Sequence, residues 1–270
     1  MMGAELALRH VLEALANGRI TVEEAEKAIR LLAIEELGKT IKLDVGRELR
    51  AGKPEVILAE GKGPSEVVEA AIRMAEARGR ALISRLSEKH VKALEACLPE
   101  GFELEVREAA RAAVVRKRGY RAPKTGGKVG IVTGGTSDMP VAEEAKLVAE
   151  EMGCEVIEVH DVGVAGLQRV LKAVKVMVEE DVDVIIVVAG REGALPSVVA
   201  GLVDVPVIGV PASGGYGVGS RGLSALLAML QSCSLGLSVV NIDSGVQAGV
   251  VAALIANRAA RFRSRAQGTP

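Results

Sequence analysis

Two residues in this sequence stand out for reactive chemistry. Cys233 lies between Ser232 and Ser234 at the expected end of a helix. A thiolate there is a nucleophile; a buried cysteine acting as a small apolar side chain is the other role open to it. Glu192 lies in the turn Gly190-Arg191-Glu192-Gly193-Ala194. A carboxylate in such a turn can hold a proton or act as a base, or stand as an ordinary exposed acid. His160, beside Asp161, either shuttles protons at a strand end or sits at the edge of the core. A third group is suited to holding a ligand: Gly134-Gly135-Thr136-Ser137-Asp138, followed by Pro140. The glycines allow close approach to the backbone, and Thr136, Ser137 and Asp138 are all capable helix caps. Strand, glycine-rich turn and helix start together form a phosphate site in α/β proteins, or simply a well-capped helix.

The surrounding pattern predicts how these residues are positioned. Strands are expected at Val129–Val132, Glu155–Val159, Asp183–Ala189, Pro206–Val210 and Leu235–Asn241. They alternate with helices at Val141–Met152, Leu167–Glu179, Pro196–Leu202, Gly222–Ser232 and Gly245–Arg258. This alternation predicts a parallel sheet covered on both faces, with ligands bound at the carboxyl ends of the strands. Turns rich in small or polar residues fall at those ends, and they supply the candidate binding residues. These are Gly135, Thr136, Ser137 and Asp138; Asp161, Gly163, Ala165 and Gly166; Gly190 and Gly193; Ser213, Gly214, Gly215, Tyr216 and Gly217; and Asn241 and Asp243.

Before this region, residues 1–118 read as a helical hairpin followed by a small α/β domain. Helices are expected at Glu5–Ala16 and from Thr21, where Glu24 completes a capping box. A strand-like stretch at Ile41–Val45 precedes strands at Glu55–Ala59, Arg80–Ser84, Phe102–Arg107 and Ala112–Arg116. Helices are expected at Glu66–Ala77, capped by Ser65, and at Ser87–Cys97. Arg47, Arg50 and Lys62 form a small basic set, either solvated or facing an anionic ligand, and Arg47 is a candidate binding residue. Residues 119–127 read as a linker, 128–260 as a second, regularly alternating α/β domain and 261–270 as a flexible tail.

Composition narrows the function classes. The chain has 270 residues and a formal net charge of -1, which argues against a general nucleic-acid or membrane binder. Aromatic residues are 1% of the total, too few for base stacking. Cys97, Cys154 and Cys233 are widely spaced and odd in number, which fits neither a disulfide framework nor a zinc pattern. Free thiols, with no secretory pattern at Met1-Met2-Gly3-Ala4-Glu5, lead to an expected cytoplasmic location.

Together these motifs resemble two related families. The turn at Gly134–Pro140 is similar to the Gly-Ser-x-Ser-Asp-x-Pro turn of PurE, aminoimidazole ribonucleotide carboxylase. The stretches TGGTSDMPVAEEA, DVGVAG, AGREGALPSVVAGLV, LSALLAMLQSC and VVNID resemble the LarB family more closely, as does LDVGRELRAGKPEVILAEGK near the amino terminus. LarB proteins are pyridinium-3,5-biscarboxylic acid mononucleotide synthases, which serve nickel-pincer nucleotide cofactor biosynthesis. The resemblance implies a PurE-like, flavodoxin-like three-layer domain behind a small α/β domain. It implies that nicotinic acid adenine dinucleotide and CO2 or bicarbonate are the substrates and that AMP is released. It also implies Cys233 as the covalent nucleophile and Glu192 as the acid of the AGxEGAL turn. Mg2+ is expected, with no organic cofactor beyond the dinucleotide substrate, and so is a homo-oligomer, an octamer of PurE-like domains. The Ser-x-His-Arg stretch of PurE enzymes is replaced by Asp161-Val162-Gly163-Val164, which weighs against the purine carboxylase. Gln168 and Lys62-Gly63 depart from the LarB pattern, which has a His and Lys-Thr at those places. A ribonucleotide carboxylase or mutase and a non-catalytic nucleotide-binding protein are the alternatives.

Overall fold

The computed structural model describes residues 11–26, 47–214 and 217–266. The chain divides into two compact units, Met1–Glu105 with Val114–Tyr120, and Val106–Ala113 with Arg121–Pro270.

In the first unit, residues 11–16 and 22–26 are helical. The Thr21 N–H donates to Glu24 at 2.8 Å and the Glu24 N–H to Thr21 Oγ1 at 3.1 Å, so the capping box is present. The stretches expected at residues 5–10 and Ile41–Val45 lie outside the described residues. A short helix, α1 (Arg47–Ala51), then leads to β1 (Val56–Leu58), α2 (Pro64–Arg78) and β2 (Arg80–Ser84). Gly63, rather than Ser65, sits at the start of α2. Pro64 takes the first helical position, where its missing N–H costs nothing, and the Gly63 N–H donates to Glu66 at 2.7 Å. After α3 (Glu88–Cys97), β3 (Phe102–Arg107) and β4 (Ala112–Lys117) complete a sheet of order β1-β2-β4-β3.

The second unit contains β5 (Lys128–Thr133), a 3₁₀ turn at Thr136–Asp138, α4 (Met139–Glu151), β6 (Glu155–Val159), α5 (Leu167–Glu179) and β7 (Val184–Ala189). It continues through α6 (Leu195–Ala200), β8 (Val207–Pro211), α7 (Leu223–Leu230), β9 (Leu237–Val239) and α8 (Gly245–Ala266). The sheet is parallel throughout, in the order β6-β5-β7-β8-β9, which is the flavodoxin-like winding. Along β7, Val184, Ile186 and Val188 face one apolar layer, and Ile185, Val187 and Ala189 face the other. A strand buried on both faces reads as the unbroken apolar run seen in the sequence. Helices α4 and α8 cover the first face, and α5, α6 and α7 cover the second.

The packing of α8 and the ends of this unit refine two of these expectations. The small side of α8 (Ala248, Ala252, Ala253, Ala256) is buried within the chain against α4. Gly245 and Gly249 make this close approach: a Cβ would lie 2.4 Å from the Val141 carbonyl oxygen and 2.5 Å from that of Ala145, respectively. Helix α8 also continues through Arg261 to Ala266, where a frayed tail was expected. Arg263 anchors it by pairing with Asp183 and donating to the Gly126 carbonyl at 3.0 Å. The end of the expected linker is held to this unit in the same way, with the Thr125 N–H and hydroxyl both 3.0 Å from the Gly153 carbonyl. Among the described residues no helix is long and apolar enough to cross a membrane.

Candidate functional site

The sheet order reverses at β5, from which the chain winds outward to β6 on one side and to β7 on the other. The carboxyl ends of β5 and β7 therefore frame the crevice where open α/β sheets bind ligands. A cavity of about 200 Å³ lies there. Its walls come from the turns after β5 (Gly134, Gly135, Ser137, Asp138), β6 (Gly163, Val164), β7 (Gly190, Arg191, Glu192, Gly193) and β8 (Gly214).

Asp138 holds the floor together. It is buried, and Gly135 donates its N–H to the carboxylate at 2.9 Å. Burial pushes its carboxyl above the usual aspartate range; hydrogen bonds from the Gly135, Gly190 and Gly134 backbone and from Ser137 oppose that shift. One carboxylate thus joins the turns after β5 and β7. Glu192, by contrast, is exposed at the rim. Its turn is held from beneath, because Ser224 donates to the Arg191 carbonyl at 2.7 Å and Gly193 packs on α7. A Cβ at Gly193 would lie 2.7 Å from the Ala225 Cα, and the residue has φ 65°, so the turn needs glycine on both counts.

Comparison with known proteins agrees with this geometry. An AIR carboxylase family model matches residues 128–267, the unit that carries the cavity. A LarB/PurE-like N-terminal domain model matches residues 34–117. The chain belongs to the AIR carboxylase family and carries a LarB-like N-terminal domain. An uncharacterised protein of Methanocaldococcus jannaschii is 47% identical over 251 residues, spanning 92% of this chain and 96% of that protein. An N5-carboxyaminoimidazole ribonucleotide mutase of Pyrococcus horikoshii is 33% identical over 144 residues, covering 52% of this chain and 72% of the mutase. The corresponding mutase of Thermotoga maritima is 32% identical, covering 47% of this chain and 74% of its own length.

In this AIR carboxylase domain, the expected residues separate into those that meet and those that do not. Gly135, Ser137, Asp138, Gly163, Gly190, Glu192, Gly193 and Gly214 converge on the cavity. Thr136 is exposed on the 3₁₀ turn and does not line it. Asp161 instead pairs with Arg169 at 3.2 Å, and Ala165 and Gly166 lie at the start of α5, away from the lining. Ser213 and Asp243 bind each other, the Ser213 N–H donating to Asp243 at 2.8 Å, and so brace the turn after β8. Asn241 accepts from the Ile242 N–H, and Gly217 is exposed in a separate 3₁₀ turn. Gly215 and Tyr216 lie outside the described residues. Arg47 belongs to the first unit and pairs with Glu55 at 2.8 Å. His160 is exposed, beside Thr133 and Glu158, and does not line the cavity. Arg191 and Leu195 line it although sequence reasoning did not single them out; Arg191 was detectable as the cation within the Glu192 turn.

Cys233 is the largest departure. Helix α7 starts beside Gly193 and runs toward the amino ends of the strands, about 12 Å over its length. Cys233 follows it in an exposed loop just before β9. That loop lies at the amino-terminal edge of the sheet, since the nearby Gly236 carbonyl accepts from Val207, the first residue of β8. Cys233 and Glu192 of one chain are therefore on opposite sheet edges. None of the three cysteines lines the cavity. Cys154 is buried beside Asn257, and burial pushes its thiol up to about 12, which leaves it inert. Among the described residues no three His, Cys, Asp or Glu side chains converge as metal ligands.

Proposed function

We propose that this AIR carboxylase family member carboxylates the pyridinium ring of nicotinic acid adenine dinucleotide and hydrolyses its phosphoanhydride. The products are pyridinium-3,5-biscarboxylic acid mononucleotide and AMP. The observation carrying this reading is the combination of a LarB-like N-terminal domain with Glu192 at the rim of the switch-point cavity. A pyridinium ring is electron-poor and does not attack CO2. Addition of the Cys233 thiolate at ring carbon 4 gives a neutral dihydropyridine whose carbon 5 is nucleophilic. Carbon 5 forms the new bond to CO2, Glu192 removes its proton, and departure of the thiolate restores aromaticity. The exchange of a ring proton for a carboxylate is redox-neutral. Water supplies the atoms for phosphoanhydride cleavage. Ser137 and the backbone at the start of α4 suit a phosphate or ribose oxygen. Asp138, whose carboxyl burial pushes above the usual aspartate range, is an acceptor that suits a hydroxyl better than a phosphate. Among the described residues no set of side chains fits a metal, so Mg2+ enters the proposal only as a counter-ion of the substrate's phosphates.

The second reading is the mutase activity of the Pyrococcus and Thermotoga relatives, favoured by their 33% and 32% identity over about half of this chain. It makes no use of Cys233 and releases no AMP. Incubation with the dinucleotide, bicarbonate and Mg2+, followed by mass spectrometry, separates the two. The first reading expects a product one carboxylate heavier plus AMP, with turnover lost in Cys233→Ser. Normal turnover by that variant would sink the covalent mechanism, and conversion of the carboxyaminoimidazole ribonucleotide alone would establish the second reading.

A further inference from the structure

The proposed substrate carries a ring carboxylate and phosphates, yet the cavity meets it with two carboxyl side chains, Asp138 and Glu192. Among the described residues a single cation, Arg191, joins them in the lining. The other cation close by is Arg169, beside Gly163, and it is committed to Asp161, donating to the carbonyl at 3.1 Å and pairing with the carboxylate at 3.2 Å. We infer that Arg191 is a specificity-determining residue: it reads the ring carboxylate, so that a pyridine acid is taken in preference to the corresponding amide. This rests on the pyridinium substrate proposed above. The backbone supports the assignment. Arg191 has φ 48°, in the left-handed region where glycine is the ordinary residue, and its turn is closed by the Gly193 N–H donating to the Gly190 carbonyl at 2.9 Å. A non-glycine residue strained in this way at a cavity mouth is an outlier of the kind that clusters at ligand clamps. Ser224 holds the same residue through its carbonyl at 2.7 Å, so the guanidinium is carried on a fixed base. Position in the chain supplies the ligand group. Arg191 and Glu192 line the same cavity from consecutive α-carbons, about 3.8 Å apart, a spacing on the scale of one pyridinium ring. With Glu192 at the proton of carbon 5, the long arginine side chain reaches the carboxylate on carbon 3, while the phosphates have Ser137 and the start of α4. A carboxylate offers two acceptors and a charge to the planar guanidinium fork. A carboxamide offers one acceptor, no charge, and a donor that opposes an arginine N–H.

Calorimetric titration of the full chain with nicotinic acid mononucleotide and nicotinamide mononucleotide tests this, because the two ligands differ only in carboxylate against carboxamide. Wild-type protein is expected to bind the acid at least about tenfold more tightly, the scale of one charge-assisted pair. Arg191→Met should bring the acid down to the affinity of the amide and leave the amide within about twofold. Arg191→Lys, which keeps the charge on the same backbone, should retain a preference for the acid. An equal loss for both nucleotides in Arg191→Met overturns the inference and assigns the arginine to the phosphate they share. Unchanged affinities overturn it too, and a lysine variant as indifferent as the methionine variant would trace the effect to a disturbed turn instead of the charge. The titration needs no turnover, which separates it from the reading it rests on. A preference for the acid that disappears in Arg191→Met, in protein that forms no carboxylated product, upholds the role of Arg191 and overturns the carboxylation. Wild-type protein that binds neither mononucleotide overturns both.

Discussion

At the scale of single residues, the site contrasts two acids. Glu192 is solvent-facing on a turn, while Asp138 is buried beneath it and held by backbone N–H groups from two turns. Burial raises the Asp138 carboxyl, which fixes the sign of its effect on stability. The protonated form is favoured by the fold, so its contribution is complete below the ordinary aspartate value of 3.8. It is lost as pH rises through the folded value. The unfolding free energy of the wild type relative to Asp138→Asn therefore falls as pH rises from about 3 upward. Paired urea melts across that range would show it, and a difference that grows with pH would contradict the assignment. Ligand binding should weaken in the same variant at every pH.

At the scale of elements, the cavity depends on turns that need glycine for different reasons. Gly193→Ala combines a positive φ with a clash against the α7 backbone, and it is expected to cost about 1–3 kcal/mol and to reduce turnover by moving Glu192. Gly217→Ala has a positive φ but open space around it, so it should cost only about 1 kcal/mol. Thermal melts of the pair distinguish clash from backbone strain, and equal losses would remove the packing argument. Helix α8 offers a second test. Arg263→Ala removes a partner of the buried Asp183 carboxylate, which keeps the Lys128 N–H at 2.8 Å. Since Arg263 is itself partly exposed, a loss of about 1–2 kcal/mol is expected by chemical denaturation. No change would mean that the end of α8 is not anchored in solution.

At the scale of the molecule, the helical layer formed by α5, α6 and α7 differs from the one formed by α4 and α8. Small residues of α8 close against α4, whereas α7 leaves a row of leucines outward. Leu227→Glu should leave the circular dichroism of the chain unchanged, because the side chain does not support its own core. It should shift the assembly to smaller species in light scattering, and product formation should fall in parallel. Intact assembly at wild-type mass would show that α7 lies outside the subunit contacts.

Much was determined by sequence alone. The apolar runs at Asp183–Ala189 and Pro206–Val210, separated by helical spacing, were sufficient for a doubly covered parallel sheet, since both periods follow from backbone geometry. The turns at Gly134–Asp138 and Gly190–Gly193 were legible because glycine and capping residues mark strand ends. Tertiary structure alone decided which turns meet. Ser213 and Asp243 brace each other, Asp161 turns to Arg169, and Cys233 lies a helix length from Glu192. Motif order along a chain carries no information about sheet edge until the crossovers are traced. A helix that starts at the carboxyl edge must end at the other one, and that separates the thiol from the carboxylate it was expected to accompany.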